Sequence, residues 1–287
     1  MLKLMDLLNE GVFDKGILKA IFMAGGPGSG KSYITKGLFG IPEKSGITSI
    51  YGLKVVNSDA EFEHYLRKFG FETHGSEKLE LDKWPKEVWD MVGGDQSPED
   101  AKKNPNLRAY TKKLTALRKK GYMNNRLGMI IDGTARDYNK IAKEKRELEK
   151  MGYDTYMVFV NTSLKVAQER NQKRARKLPP KLLEKSWNQV QQNIGKFNGL
   201  FKSNFMVVDN SKFMDEKSAM KKFSMLIKKG VGKFMGKGIK NPIGKKWIKN
   251  QLLLKKKGLK KWTNGNVQNV ETRKNRIYNH IVKLVVI

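Results

Sequence analysis

Residues 25–32 read Gly-Gly-Pro-Gly-Ser-Gly-Lys-Ser, a spacing of glycines, lysine and serine that is typical of a phosphate-binding loop. The glycines let consecutive backbone N–H groups turn inward around a phosphate, and the following helix adds partial positive charge. Lys31 would bridge the β- and γ-phosphates of ATP, and the Ser32 hydroxyl would bind Mg²⁺. The alternative is a plain glycine-rich turn. The predicted nucleotide-binding residues are Gly25, Gly26, Pro27, Gly28, Ser29, Gly30, Lys31, Ser32 and Tyr33.

Two carboxylates follow later apolar runs. Asp59 ends the run Asn57-Ser58-Asp59, and a phosphotransferase needs a carboxylate beside the γ-phosphate to accept the proton of the attacking hydroxyl. Asp132 begins the run 132–136, Asp-Gly-Thr-Ala-Arg, and could hold Mg²⁺ through water or bind an acceptor hydroxyl. Aspartate also favours helix N-caps, so capping is the alternative role of both residues.

Arginines follow the fourth apolar run. Arg170 and Arg174 are four residues apart and would share one face of a helix that the prolines at 179 and 180 end. A cationic lid of this kind can neutralise the charge that develops on a transferred phosphoryl group. A run of solvated surface charge is the alternative.

Short apolar segments alternate with helical patterns along the chain, which predicts an α/β fold with a parallel sheet covered on both faces. Every candidate residue above then lies at the carboxyl end of a strand, where ligands bind in such folds. The predicted strands are 18–24, 52–57, 127–132, 155–160 and 205–209. The predicted helices are 31–38, 61–68, 138–151, 164–174 and 181–201.

The predicted organisation is an N-terminal segment 1–17, a kinase domain 18–230 with an insertion at 70–126, and a basic extension 231–287. Within the insertion, Tyr110, Leu114 and Leu117 have helical spacing, so we expect a basic helix that packs by this face. The insertion would cap the acceptor site or be a neutral surface addition.

Positive charge is concentrated near the C-terminus. The formal net charge is +30, and residues 221–287 hold 19 of the 58 Lys and Arg but one of the 28 acidic residues. A lysine-rich extension with aromatic residues could bind nucleic acid. Docking on a partner protein, disorder and a plain solvated surface are the alternatives.

Composition excludes several classes of protein. The chain has no cysteine, so disulfides and thiolate metal sites are excluded, and its three histidines lack metal-ligand spacing. No apolar run has the roughly 18 residues of a membrane span. We therefore expect a protein of the cytoplasm without a membrane partner.

Four motifs together resemble the P-loop kinases that include zeta toxins and the kinase domain of phage polynucleotide kinase. They are GGPGSGKS, NSD, IIDGTARDY and ERNQKRARKLP, in this order between residues 18 and 211. The resemblance implies a sheet of strand order 2-3-1-4-5, with Asp59 as general base and Arg170 and Arg174 in lid positions. The chain as a whole is similar to kinases encoded by tailed phages. A protein of that kind would be located in the host cytoplasm or in the virion.

The two branches of this family differ at the acceptor. Asp132, Thr134 and Arg136 resemble the zeta-toxin motif that holds a nucleotide-linked amino sugar, where glutamate is usual in place of Asp132. The segment RNQKRARKLP is more similar to the polynucleotide kinase lid, yet Phe62 stands where that enzyme carries an arginine. The resemblance implies phosphotransfer from ATP to a nucleotide-linked sugar or to a polynucleotide 5′ end.

A second hypothesis comes from another class. The basic extension, and Leu8-Asn9-Glu10, which resembles the sites cut by phage prohead proteases, favour a nucleic-acid-binding or virion-associated protein that keeps the P-loop as a switch or relic. The joint presence of Lys31, Ser32, Asp59 and the paired arginines at 170 and 174 favours the enzyme.

Overall fold

The fold was obtained as a computed structural model and is a three-layer α/β structure around one parallel sheet. The strands β2 (Lys54–Val56), β3 (Met129–Asp132), β1 (Lys19–Ala24), β4 (Asp154–Asn161) and β5 (Phe205–Asp209) lie side by side in this order, which confirms the predicted fold class and strand order. The structure describes residues 12–14, 16–41, 48–68, 106–173, 177–212 and 216–263. The predicted N-terminal segment up to residue 11, most of the insertion and the chain beyond residue 263 lie outside these ranges.

The strands of the sheet are short and apolar because helices cover both of its faces. All six residues of β1, in the middle, are buried. Phe22 of β1 lies opposite Ile131 of β3 and Met157 of β4.

Alternate residues of β1 point to opposite layers of helices. Ile21 and Met23 join a core with the helix after the P-loop and the helices after β5. Phe22 faces the other layer and contacts Phe201 at 5.4 Å between ring centroids. The described helices are α1 (Lys31–Phe39), α2 (Ser58–Lys68), α3 (Leu107–Asn124), α4 (Tyr138–Lys150), α5 (Leu164–Gln172), α6 (Pro180–Phe201), α7 (Glu216–Leu226), α8 (Gly232–Gly236) and α9 (Pro242–Thr263).

The basic helix of the insertion forms, as α3, and it packs by only part of the predicted face. Tyr110 and Leu117 are 42% and 58% exposed, whereas Thr111 is fully buried. α3 packs on α2, and this contact uses an edge-on Tyr65–Tyr110 pair at 5.5 Å. The expected packing is therefore found at Tyr110 but not at Leu117, because polar and aromatic contacts with α2 decide the orientation.

The chain divides into two compact units, Met1–Gly244 and Lys245–Ile287. Residues 231–244, which we assigned to the basic extension from the sequence, belong to the first unit. Val231, Phe234 and Met235 are buried in its core. Phe234 is therefore a core residue of the first unit.

A buried lysine fixes this last part of the first unit. Lys19, 3% exposed, donates from Nζ to the backbone carbonyls of Phe234 and Lys237 and lies 4.7 Å from the Phe234 ring centroid. Asp154 accepts the backbone N–H groups of Lys240 and Asn241 at 2.7 and 2.9 Å. Both anchors lie at the amino ends of their strands, opposite the P-loop.

No helix within the described ranges combines the length and the apolar character that crossing a bilayer requires.

Replacing Lys19 with methionine should lower the free energy of unfolding by about 1–3 kcal/mol, because two carbonyls lose their buried donor. Burial lowers the pKa of Lys19, whereas Asp154 raises it. Because a buried charge is costly, removing the ammonium also removes a destabilising contribution. We expect the loss of two hydrogen bonds to be the larger effect. Urea unfolding measures it.

The matched control for this prediction is Lys143→Met, at an exposed position of α4. It should change the free energy of unfolding by less than about 0.5 kcal/mol. A Lys19→Met protein as stable as the control would show that the two carbonyls do not depend on the ammonium.

Candidate active site

The P-loop, residues 25–32, connects β1 to α1 in a conformation that requires glycine. Gly28 and Gly30 have φ angles of 76° and 78°. A Cβ atom on Gly28 would lie 2.3 Å from the Ala167 carbonyl oxygen, and one on Gly30 would lie 2.4 Å from Asn210 Nδ2. The backbone of α5 and the end of β5 therefore press directly against the loop.

One carbonyl of the P-loop is fixed from outside. The Ser29 carbonyl accepts from Asn210 Nδ2 at 2.8 Å and from Arg170 Nη1 at 3.3 Å. Asn210 is buried, and its own N–H donates to the Asn161 carbonyl at 2.8 Å. With this carbonyl turned outward, and with no side chain capping the start of α1, the loop can present N–H groups to an anion.

Lys31 contacts the end of β3. Its ammonium donates to Asp132 Oδ1, and Asp132 Oδ2 accepts from Asn57 Nδ2 at 2.8 Å. The Asp132 side chain is 7% exposed. Asp132 is therefore not a helix cap, and the side chain of Asp137 caps α4 instead, through the N–H of Lys140.

Asp59 lies in the first turn of α2, next to this network. Its N–H donates to Asn57 Oδ1 at 2.8 Å, so Asn57 satisfies the helix start and Asp59 is not the cap. This contact also begins α2 at Ser58, three residues before the predicted start. The Asp59 carboxylate is 49% exposed, so a substrate hydroxyl can reach it.

An arginine that the sequence analysis did not single out holds Asp59. Arg108 Nη2 lies 2.6 Å from Asp59 Oδ1, and Nη1 donates to the Ser58 carbonyl at 3.3 Å. The guanidinium lies 5.1 Å from the ring centroid of the buried Phe62. The first turn of α3 thus supplies a fixed cation to α2, and nothing in the local sequence pattern marks Arg108 among the other basic residues.

Thr134 and Arg136 lie in the exposed turn that follows β3. Between them, Ala135 is buried and has a φ of 59°, which is unusual for a residue with a side chain. The buried Asn193 of α6 donates from Nδ2 to the carbonyls of Ala135 and Arg136, at 3.1 and 2.8 Å. Asn193 was missed because its partners are distant in sequence.

Arg170, at the end of α5, contacts the P-loop as described above. Burial lowers its pKa, while the neighbouring Glu169 raises it, and arginine stays charged in proteins in any case. Lys222 of α7 donates to the Asp209 carbonyl, and its pKa is lowered by burial and by Arg170. Cations thus border this side of the loop. Arg174, the second predicted lid residue, lies outside the described ranges.

The remaining predicted loop residues border two aromatic side chains. Trp187 of α6 lies beside Gly26 and donates from Nε1 to the Thr162 carbonyl at 2.9 Å. Tyr33 is exposed on α1, with its ring centroid 5.5 Å from that of Phe223. Pro27 and Ser32 are accessible in the loop and at the start of α1.

Mg²⁺ fits the donor set present. Ser32 offers a hydroxyl and Asp132 a carboxylate, and Mg²⁺ in nucleotide sites takes one or two protein oxygens together with waters and phosphates. Among the described residues no cluster of three or more carboxylates or histidines occurs that could hold a metal alone. Any Mg²⁺ here would therefore depend on phosphate oxygens.

A family model described as an AAA domain matches residues 21–196, more than half of the chain. The chain belongs to the AAA domain family. The part that matches the AAA domain runs from β1 into α6, so it includes the P-loop, Asp59, Asp132 and Arg170. With the sheet order observed, the AAA domain has the fold of P-loop nucleotide-binding proteins.

Solved structures were also compared with this AAA domain protein. A putative kinase from Chloroflexus aurantiacus has 12% identity and a TM-score of 0.38, with coverage of 75% of this chain and 98% of that chain. The PezAT toxin-antitoxin system of Streptococcus pneumoniae has 15% identity and a TM-score of 0.38, with coverage of 72% of this chain and 76% of that chain. The tunicamycin resistance protein of Deinococcus radiodurans has 14% identity and a TM-score of 0.36, with coverage of 73% of this chain and 95% of that chain. No curated protein matches the sequence.

Gly30→Ala should weaken binding of a fluorescent ATP analogue by at least about tenfold, a loss of about 1.4 kcal/mol. The methyl group would overlap Asn210 Nδ2 at a left-handed backbone position, so the loop must move. Titration monitored by fluorescence anisotropy measures the change.

Gly121→Ala in α3 is the control for this prediction, because an added Cβ there meets no described atom within 4 Å. It should bind the analogue as the parent protein does. Unchanged binding by Gly30→Ala would contradict a phosphate site in this loop.

Proposed function

We propose that this protein is an ATP-dependent phosphotransferase that phosphorylates a hydroxyl group. The observation that carries the proposal is the hydrogen-bonded series from Lys31 through Asp132 and Asn57 to the backbone of Asp59. These contacts fix the position of the exposed Asp59 carboxylate relative to the P-loop lysine. A loop kept only as a relic would have no need of such a carboxylate.

In the proposed reaction the acceptor oxygen attacks the γ-phosphorus of ATP. The bond from that phosphorus to the β–γ bridging oxygen breaks, ADP leaves, and the proton of the hydroxyl moves to the Asp59 carboxylate. Lys31 and the loop N–H groups bind the β- and γ-phosphates. Arg170 is placed to neutralise charge near the loop.

Ser32 and Asp132 are the residues that would hold Mg²⁺. When bound, the ion neutralises charge on the phosphate oxygens. Asp132 also positions the Lys31 ammonium, and Asn57 fixes the orientation of the Asp132 carboxylate. Substituting Asp132 would thus disturb both the metal and the lysine.

The acceptor is proposed to be a nucleotide-linked sugar or the 5′ end of a polynucleotide. Thr134 and Arg136, both exposed beyond Asp132, are its proposed binding residues. Gly133 lies between them and Asp132, and a Cβ on it would meet no described atom within 4 Å. An acceptor can therefore approach the backbone closely at this point.

A phosphoacceptor screen tests the proposal. Purified protein with Mg²⁺ and γ-labelled ATP is offered sugar nucleotides, nucleosides and 5′-hydroxyl oligonucleotides, and products are identified by mass spectrometry. Label in one of these classes is the expected result. Absence of transfer to all three classes would contradict the proposed reaction.

Asp59→Asn should reduce transfer by about 10²–10⁴-fold, because an amide cannot accept the hydroxyl proton. Affinity for ATP should change little, since the amide keeps the size of the side chain. Glu61→Gln, two residues further along α2, is the matched control and should keep most activity. Initial rates and an ATP titration measure both effects, and retained turnover in Asp59→Asn would exclude this residue as the base.

We also propose that the C-terminal unit binds nucleic acid, as the second hypothesis from the sequence requires. Within α9, Lys245, Lys246 and Lys249 are exposed, and the helix sequence contains no acidic residue. Positive charge without interspersed carboxylates attracts phosphate backbones. If the P-loop acts as a switch, ATP would change this binding without phosphotransfer.

The triple variant with glutamine at 245, 246 and 249 should bind oligonucleotides with a weaker salt dependence. The slope of log K against log salt concentration should become less negative by about 0.9 for each lost phosphate contact. The control places glutamine at the exposed lysines 140, 143 and 150 of α4. Filter binding between low and moderate salt measures the slope. Equal slopes for both triple variants would argue against an interface on α9.

A further inference from the structure

A polar groove lies between the turn after β3, the start of α4 and one side of α6. Its volume is about 510 Å³, within the range of small-ligand sites. Of its lining residues, only Arg136 was predicted from the sequence to bind substrate. The groove is lined by Arg136, Asp137, Tyr138, Asn139, Gln189, Asn193 and Lys196.

The wall formed by the turn is held in a conformation that has an energetic cost. Ala135 has a left-handed backbone, which costs about 1 kcal/mol or more for a residue with a Cβ. Asn193 compensates by binding the carbonyls of Ala135 and Arg136 from the buried side. The backbone that carries Arg136 is therefore fixed at the groove, and such enforced strain is commonest at functional sites.

The side chains that face the groove favour an anion. Arg136 and Lys196 are exposed cations on opposite walls, and the Lys196 ammonium lies 6.0 Å from the Tyr138 ring centroid. The carboxylate of Asp137 is engaged by the N–H of Lys140 at the start of α4. Asn139 and Gln189 add amide groups that can donate to phosphate oxygens.

Both walls of the groove lead to the proposed reaction centre. The turn begins at Gly133, directly after Asp132, which binds the P-loop lysine. The other wall belongs to α6, and this helix also carries Trp187, which lies beside Gly26 of the P-loop. A ligand in the groove can thus extend past the open space at Gly133 toward the phosphates.

We propose that this groove binds a phosphate group of the acceptor, with Arg136 and Lys196 as its cationic ligands. The inference rests on the proposed phosphotransfer and deepens it, because it selects phosphate-bearing acceptors over neutral sugars and nucleosides. The phosphate can belong to a sugar nucleotide or to a polynucleotide. The shared chemistry is an anionic ester beside the hydroxyl that is phosphorylated.

The kinetic test uses the double variant Arg136→Gln with Lys196→Gln, in which both exposed cations become neutral. KM for a phosphate-bearing acceptor should rise about tenfold or more, since hydrogen bonds to charged groups are strong. KM for ATP should not change, and KM for a neutral nucleoside, which offers no phosphate to the groove, should rise much less than KM for the phosphate-bearing acceptor. Equal loss with charged and neutral acceptors, or no loss with either, would overturn the proposal.

A binding test separates this inference from the proposed reaction. In the Gly30→Ala protein, where the P-loop is blocked, a uridine diphosphate sugar and a 5′-hydroxyl oligonucleotide are titrated separately by calorimetry. One of them should bind, and its affinity should fall about tenfold in the added double variant. Lys185→Gln, at an exposed position of α6, is the control and should have no effect. Failure of both probes to bind would overturn the groove even if phosphotransfer occurs.

Discussion

The Asp132 carboxylate is the contact on which the rest of the site depends. One of its oxygens accepts from Lys31, which follows β1, and the other accepts from Asn57, which follows β2. Because Asp132 itself ends β3, a single side chain joins the carboxyl ends of three neighbouring strands. The positions of the lysine and of Asp59 are thus set by the register of the sheet, and a buried ion pair of this kind is costly to break from one side only.

The sequence was sufficient where local chemistry decides the structure. The glycines of the P-loop, the apolar strands and the polar residues at their ends have short-range signatures. The sheet order, which the structure also confirms, followed from the family resemblance and not from local signatures. Arg108, Asn193 and Asn210 could not be found in this way. Asn210 contacts a residue 181 positions away, and Asn193 one 58 positions away, so only the folded chain brings them into the site.

The orientation of helix α3 also depends on contacts that the sequence pattern does not reveal. Its apolar spacing predicted packing through Tyr110, Leu114 and Leu117, but Leu117 is exposed, and the helix is oriented by Arg108 on Asp59 and by Tyr110 on Tyr65. Ion pairs and ring contacts across a helix interface depend on the partner helix, which no hydrophobic pattern describes. The orientation of α3 thereby serves Asp59, and the insertion contributes to the site at least through its final helix.

The Lys19 anchor also bears on how this chain is made. Lys19 leaves the ribosome long before the carbonyls that bind it, which lie 215 and 218 residues later. The Lys19 ammonium therefore lacks these two acceptors until nearly all of the first unit has been synthesised. At the other end of the strand, the P-loop likewise lacks the Asn210 contact to its Ser29 carbonyl until β5 has been made, so nucleotide binding is expected to begin late in synthesis.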